Sequence, residues 1–433
     1  MATFASWGNI PRVAQQVFVL DNRRTSLPAT GDKTLLAYGK GRSYGDVCLN
    51  DGNIILPTHF LDKYISFDHE AGVVRCEAGI CLQDLLTFII PHGYFIPVTP
   101  GTKYVTVGGM IANDVHGKNH HRAGTIGKHV LQFELLRSNG DRLICSPTQN
   151  SNYYSATIGG LGLTGLITWA EIQLKPIESA YIQEETIPFS SLAEFMNLTT
   201  DSDAHWEYTV AWIDSFARRP NAGRGVFFRG KHADATTDMH SVVTKKPLQV
   251  PLNMPSWVLN SLFLKAFNRL YYSLNKKDHK LVSYDKFFYP LDGIGSWNRI
   301  YGKRGFYQYQ CVVPKEDAED IISELLAICS KSNAGSFLSV LKKFGAVPSP
   351  GMLSFPREGY TLALDFPNNG SKTTRMLDML DDIVRRVGGA VYPAKDARMS
   401  PESFKQYYPM WQEYAEYIDS GFSSSFWRRV MAG

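Results

Sequence analysis

No stretch of about 18 uncharged apolar residues occurs anywhere in this chain, so no transmembrane helix is expected. The start, MATFASWGNIPRV, lacks the basic residues and apolar core of a secretory signal. The six cysteines (Cys48, Cys76, Cys81, Cys145, Cys311 and Cys329) are scattered and form no Cys-x-x-Cys pair. That spacing argues against a zinc ribbon and a disulfide frame, and reads as reduced, mostly buried thiols in a cytoplasmic protein. Charge of one sign is missing too: 45 Lys and Arg against 41 Asp and Glu leave +4, which excludes a nucleic-acid partner as the expectation. Low-complexity runs and internal repeats are absent. The 433 residues are long enough for more than one domain, and 44% hydrophobic residues suit a packed interior.

What is present begins with texture. Over residues 34 to 175, short β-type runs alternate with glycine-rich turns, as in Asn53-Ile54-Ile55-Leu56, Val73-Val74-Arg75-Cys76 and Gly165-Leu166-Ile167-Thr168-Trp169. Between them Leu82, Leu85, Leu86 and Ile89 share one helical face. This is an α+β pattern without the regular βαβ alternation of a dinucleotide-binding sheet. Strand-like pieces at Tyr208 to Ile213, Gly225 to Phe228 and Phe306 to Val313 follow, with helices expected over Asp317 to Cys329 and Arg375 to Val387. We expect a first domain over 1–180, a second over 181–388, and a C-terminal return, 389–433, to the first.

Residues 241–280 carry Lys245, Lys246, Lys265, Arg269, Lys276, Lys277 and Lys280 against one acid, Asp278. Helical spacing there puts Leu259, Phe263, Ala266, Leu270 and Leu274 on one face, and Ser261, Lys265 and Asn268 on the other. Two readings stand side by side: a helix lying in a membrane interface, and a cationic helix packed on the second domain's core.

Four clusters carry the chemistry: GKGRSYGD (39–46), PGTKYVTVGGMIANDVHGKNHH (100–121), TIGGLGLTGLI (157–167) and VYPAKDAR (391–398). The first lacks the spacing and the Gly-Lys-Ser/Thr ending of a phosphate-binding P-loop. Glycines at 101, 108, 109, 117, 159, 160, 162 and 165 let several backbone segments approach one large ligand, whose pyrophosphate free N–H groups could cradle. His116, His120 and His121, with Asp114 near, admit a zinc reading, but Gly117 interrupts the helix that such a site needs. No metal is expected, and a metal-dependent hydrolase is the alternative of another class.

In this order the four clusters resemble the vanillyl-alcohol-oxidase (PCMH-type) FAD flavoproteins, and within them the decaprenylphosphoryl-β-D-ribose 2′-oxidase family. The likeness extends to FYPLD at 288–292, YQYQ at 307–310 and SFLSVLKKFG at 336–345. The resemblance implies a two-subdomain FAD-binding domain and a substrate domain whose antiparallel sheet is covered by helices. It implies FAD held by Gly39, Gly41, Arg42, Ser43, Tyr44 and Gly45, by Gly101, Thr102, Gly108, Gly109, Ala112, His116, Gly117 and Asn119, and by Gly162, Gly165, Ile167 and Tyr392. Relatives with covalent flavin commonly have histidine at the place of Tyr44, so this FAD is expected to be non-covalent.

For the substrate the resemblance points to Tyr44, His116, Lys118 and Lys395 as catalytic, and to Gln308, Gln310, Lys342, Thr361 and Ala363 as binding residues. Oxidising a secondary alcohol removes its O–H proton and its C–H hydride. Lys395 or Lys118 could take that proton or stabilise the developing alkoxide, if burial lowers the lysine pKa. Gln308 and Gln310, two apart on a strand, could bond sugar hydroxyls. Familiar members carry a cysteine where this chain has Ala363, and asparagines where it has Thr361, Ser339 and Leu161. The implied reaction is oxidation of the 2′-hydroxyl of a polyprenylphosphoryl ribofuranose, the first half of an epimerisation in cell-wall arabinan synthesis. A short-chain NAD(P)H-dependent reductase would complete it, and the protein would sit peripherally on the inner face of the membrane. A soluble alditol or aldonolactone oxidase using oxygen and a non-catalytic flavin-fold binder are the other readings.

Overall fold

The computed structural model describes residues 4–217, 222–234, 247–255, 259–336 and 338–432. Lys245 and Lys246 of the basic segment lie outside the described residues. The early alternation of apolar runs and turns becomes two sheets. A parallel sheet is built from β1 (Gln16–Val17), β2 (Leu35–Tyr38) and β3 (Ile54–Pro57) in the order β1-β3-β2. An antiparallel sheet follows the order β4-β5-β9-β7-β8, from β4 (Tyr64–Asp68), β5 (Val73–Glu77), β7 (Val130–Leu136), β8 (Arg142–Cys145) and β9 (Leu166–Gln173). The pair β6 (Tyr94–Phe95) and β10 (Lys175–Pro176) lies beside it. Helix α1 (Leu82–Ile89) buries Leu82, Leu85, Leu86 and Ile89, the face its spacing predicts, in one core with Val74, Phe133 and Ile172. Short helices α2 (Val107–Ala112), α3 (His120–Ala123) and α4 (Ser151–Thr157) punctuate this region.

Beyond it runs an eight-stranded antiparallel sheet in the order β15-β11-β13-β12-β18-β19-β17-β20. Its strands are β11 (Tyr181–Phe189), β12 (Tyr208–Ile213), β13 (Gly225–His232), β15 (Asp278–Ser283), β17 (Phe306–Val313), β18 (Ser339–Phe344), β19 (Gly359–Pro367) and β20 (Ala390–Val391). The small pair β14 (Leu248–Gln249) and β16 (Ile294–Gly295) stands apart. Alternation along each strand sorts its side chains to two faces. Phe227, Tyr309, Cys311, Leu341, Leu362 and Leu364 enter a core with residues of α5 (Leu192–Ser202), α8 (Ala318–Lys331) and α9 (Ser371–Arg386). Their neighbours Phe228, Gln308, Gln310, Lys342, Thr361 and Ala363 face a cavity on the opposite side.

After β20 the chain returns to the first region through the turn Pro393–Lys395 and helices α10 (Pro401–Tyr407), α11 (Trp411–Ala415) and α12 (Ser425–Met431). Arg429 ties the return to the glycine loop, with Nη2 at 2.7 Å from Asp46 and 2.9 Å from Asp396.

Helix α6 (Ser261–Leu274) packs on the protein mainly through its polar side, against the reading of a cationic helix packed by its apolar stripe. The residues it buries are Leu264 and Asn268, the latter on the side expected to be polar. Asn268 Nδ2 donates to Asp214 Oδ1 at 3.0 Å and to the Ser336 carbonyl at 3.2 Å, which replaces the water that an amide would otherwise need. Of the expected stripe Leu259 is buried, whereas Leu270 and Leu274 are exposed by 58% and 70%, as is Leu262 beside them by 77%, so its C-terminal part is unpacked. Its lower flank, Phe267 and Tyr271, lines the cavity. The segment after it, α7 (Tyr284–Phe288), carries Phe287 and Phe288 into the first region's core.

Candidate active site

One cavity of about 1210 Å³ lies between the glycine-rich loops and the open face of the large sheet. That exceeds the roughly 300–1,000 Å³ of an ordinary small-ligand pocket, so it has room for more than one bound molecule. Of the residues expected at the site, Gly39, Gly41, Arg42, Ser43 and Tyr44 line it from the loop after β2. Gly101, Thr102, Gly108, Gly109, Ala112, His116, Gly117 and Lys118 line it from around α2, and Gly162, Gly165 and Ile167 from the entry to β9. The sheet adds Gln308, Gln310, Lys342, Thr361 and Ala363, and the return adds Tyr392 and Lys395. Gly45 and Asn119 stand outside the wall. A Cβ on Gly45 would sit 1.7 Å from the Asp396 carbonyl oxygen, while Asn119 Nδ2 donates to the Pro97 carbonyl at 2.8 Å.

The glycines therefore serve two ends. Gly108 lets α2 approach Ala78, 3.1 Å from an added Cβ, whereas a Cβ on Gly101 would meet nothing within 4 Å. Two further observations fit a dinucleotide. Among the described residues no acceptor meets the backbone N–H groups of Lys40, Gly41, Arg42 and Ser43, and such free donors suit a pyrophosphate. Asn113 Oδ1 is buried at the cavity edge with no donor among the described residues, although its Nδ2 is bonded to the Gly109 carbonyl at 2.8 Å. Tyr392 stacks on Phe355 (4.6 Å, 18°) and donates its O–H to the Asn113 carbonyl at 2.8 Å, presenting a fixed aromatic wall. The residues present fit FAD.

The polar end of the cavity is cationic. His116, 8% exposed, faces Gln310 Nε2 at 3.1 Å and Lys342 Nζ at 3.3 Å. Burial, reinforced by the Lys342 charge, pushes its pKa well below the usual imidazole range and keeps it neutral. Burial lowers Lys342 to about 7 and Lys118 to about 8, with neighbouring lysine charge adding to the first. Lys118 Nζ donates to the Phe287 carbonyl and lies 4.2 Å from that ring's centroid. Lys395 Nζ lies 3.9 Å from the centroid of Tyr44, and burial lowers its pKa against the opposing charge of Asp365. Tyr44 is itself buried, edge-on to Phe306. Such a set of buried amines and amides suits anions and hydroxyls.

The zinc reading fails on geometry. His116 lies outside α3, and Asp114 is engaged by Ser349, by Ser354 Oγ at 2.6 Å and by the Gly127 N–H at 3.0 Å. Among the described residues no group of three His, Cys, Asp or Glu is placed to hold a metal ion.

Sequence reasoning missed the apolar arm of the cavity, formed by Trp212, Phe228, Met254, Phe267, Trp297 and Ile300. Period-two counting along β12 and β13 could have found Trp212 and Phe228. It missed Asp365 as well, although that residue is two beyond Ala363 on β19.

Comparison with known proteins agrees with this geometry. Residues 28–146 match a family model described as an FAD binding domain. The chain is 37% identical over 395 residues to decaprenylphosphoryl-β-D-ribose oxidase of Mycolicibacterium smegmatis, covering 89% of this chain and 85% of that protein. It belongs to the decaprenylphosphoryl-β-D-ribose oxidase family. An uncharacterised protein of Streptomyces coelicolor is 31% identical over 353 residues, 78% of this chain and 94% of that one. L-Gulonolactone oxidase of Bos taurus is more distant, at 24% over 407 residues, 88% and 85% of the two chains. As a member of this oxidase family the chain is an FAD-dependent oxidoreductase, and the metal-hydrolase alternative is set aside.

Proposed function

We propose that this enzyme oxidises the 2′-hydroxyl of a polyprenylphosphoryl ribofuranose to the ketone, the first half of an epimerisation that a short-chain NAD(P)H-dependent reductase completes. The observation that carries this reading is the joining of two unlike chemistries in one cavity. Lys118, Lys342 and Lys395 supply cations for a phosphate, and Gln308 and Gln310 supply amides for sugar hydroxyls. The apolar arm of Trp212, Phe228 and Phe267 offers no such partners and suits the first isoprene units of a lipid tail. Bound FAD supplies the hydride acceptor. Lys395 or Lys118 takes the proton leaving the hydroxyl or stabilises the developing alkoxide, while the aromatic walls exclude water. Anaerobic addition of polyprenylphosphoryl ribose should bleach the flavin. Bleaching by free sugar alcohols or aldonolactones instead would replace this reading with that of a soluble sugar oxidase.

Tyr44 offers no imidazole nitrogen for a flavin bond, and its ring is engaged by Lys395 and Phe306. The flavin is therefore non-covalent. Acid precipitation should leave a colourless pellet and a yellow supernatant; a yellow pellet would show a covalent bond.

The substrate's tail implies a membrane surface. Among the described residues no helix is long and apolar enough to cross a bilayer. The exposed Leu262, Leu270 and Leu274 of α6, with Arg269, Lys276 and Lys277 beside them, form instead a surface for shallow insertion into anionic lipid. Each such cation contributes about 1 kcal/mol near an anionic bilayer. Changing Leu270 and Leu274 together to Asp should abolish co-sedimentation with anionic liposomes and leave the melting temperature unchanged, since neither side chain is packed. Undiminished co-sedimentation would remove α6 from the contact.

A further inference from the structure

Asp365 is a buried charge for which the reading above has no use. Alternation along β19 turns it to the same side of the sheet as Thr361 and Ala363, and the register sets it directly across from Gln308. It is 1% exposed. Its Oδ1 accepts from Gln308 Nε2 at 2.6 Å, and its own N–H donates to Ser336 Oγ at 3.0 Å. Its Oδ2 is buried and, among the described residues, meets no donor. A buried carboxylate with one oxygen unpaired is unfavourable unless a cation stands near. The cation whose charge acts on it is Lys395, which lies over Tyr44 at the cavity wall.

We propose that Asp365 is a positioning residue of this active site, fixing the direction of the Gln308 amide and supplying the counter-charge that keeps Lys395 in place above Tyr44. Because one N–H of Gln308 Nε2 is committed to Asp365, the orientation of the amide is set, and its Oε1 and second N–H are what it can offer a ligand. A primary amide without such a fixed partner can turn over and exchange donor for acceptor. The electrostatics run the same way. Burial raises the Asp365 pKa, opposed by the Gln308 hydrogen bond and the Lys395 charge, and Asp365 opposes the burial that strips Lys395 of its proton. The groups around this pair are Gln308 on β17, Tyr44 on the glycine loop and Tyr301 before β17, with Arg42 acting on Tyr44. Lys342 on β18 feels the like charges of Lys118 and Lys395.

D365N keeps an acceptor for Gln308 and removes the charge. Competitive acetylation of the FAD-loaded protein across pH, read by peptide mass spectrometry, gives the titration midpoint of each lysine without any substrate. Loss of the anion makes protonated Lys395 less stable, so its midpoint should fall by about one pH unit or more. Lys343, paired to Asp203 elsewhere, should not move. An unchanged Lys395 midpoint overturns the proposal. Should D365N fail to hold FAD, D365S gives the same reading with less bulk.

The kinetic arm rests on the proposed function. There the limb of the pH–rate profile that belongs to Lys395 should also move to lower pH, whichever protonation state turnover uses. A merely structural role would lower kcat without moving either limb, and that result also overturns the proposal. A shifted midpoint in a protein whose flavin no lipid sugar bleaches would uphold the positioning role and sink the substrate instead.

Discussion

Lys395→Ala is expected to keep its FAD and to lose turnover by about two to four orders of magnitude, the usual range for a positioned proton-transfer group. Flavin retention follows from where the side chain sits. Lys395 lies at the end of the return turn, over Tyr44, whereas the free amides that suit a pyrophosphate belong to residues 40–43. Loss of turnover follows from charge. An alkoxide developing in a cavity of this depth is stabilised by a nearby cation far more than it would be in water. Lys342 and Lys118 are poor substitutes: the first is directed at His116 and the second at the Phe287 carbonyl. Lys395→Arg separates the two roles, because guanidinium keeps the charge but does not give up a proton. Recovery of most activity in Arg would assign Lys395 to charge stabilisation, and none would assign it to proton transfer. Turnover of the Ala variant at the wild-type rate, measured by anaerobic flavin bleaching, would remove Lys395 from the mechanism.

Gly45→Ala is expected to be the most damaging conservative change in the chain's first region. At Gly45, φ −115° and ψ −144°, the objection to a side chain is steric. The new Cβ would lie 1.7 Å from the Asp396 carbonyl oxygen and 2.8 Å from the Ala397 Cα, both backbone atoms without a rotamer to change. Either the glycine loop or the C-terminal return must move, and each is pinned. Tyr44 N–H donates to the Ala394 carbonyl at 2.8 Å, and Arg429 bridges Asp46 and Asp396. Overpacking of this kind costs about 3 kcal/mol or more. The melting temperature should fall sharply and flavin occupancy with it. Gly101→Ala, where a Cβ meets nothing within 4 Å, is the control: its melting temperature should stay put while FAD binds more weakly through the narrowed cavity. Wild-type melting and full flavin in Gly45→Ala would contradict the packing described.

That the four clusters come together was legible because each is a short local run rich in glycine or small residues, and residues of all four line the one cavity. The sheet was legible by period two, which is why Gln308 and Gln310 emerge on the cavity side together. The distinction between Gly45 and Gly101 was not legible, since one meets the chain 350 residues later and the other meets open space. Asp365 stayed hidden as one acid in an apolar strand, its importance visible only once Gln308 is seen across the ladder. Of the two readings of helix α6, the structure leaves Leu270 and Leu274 outward, because Asp214 and Ser336 draw Asn268 inward, a pairing that the spacing alone could not show. Leu161 adds a smaller lesson. It holds a left-handed backbone, φ +57°, that asparagine adopts more readily, so the change from the family pattern at that position brings strain as well as lost polarity.

The C-terminal return also sets an order of events during synthesis. Tyr44 is anchored by Ala394, and Asp46 by Arg429, both more than 300 residues further along the chain. A nascent chain that has already exposed both glycine-rich clusters still lacks the wall that holds the first of them. The cofactor thus meets a finished pocket only once residues 394 to 429 have been made and have docked, and flavin colour reports that docking.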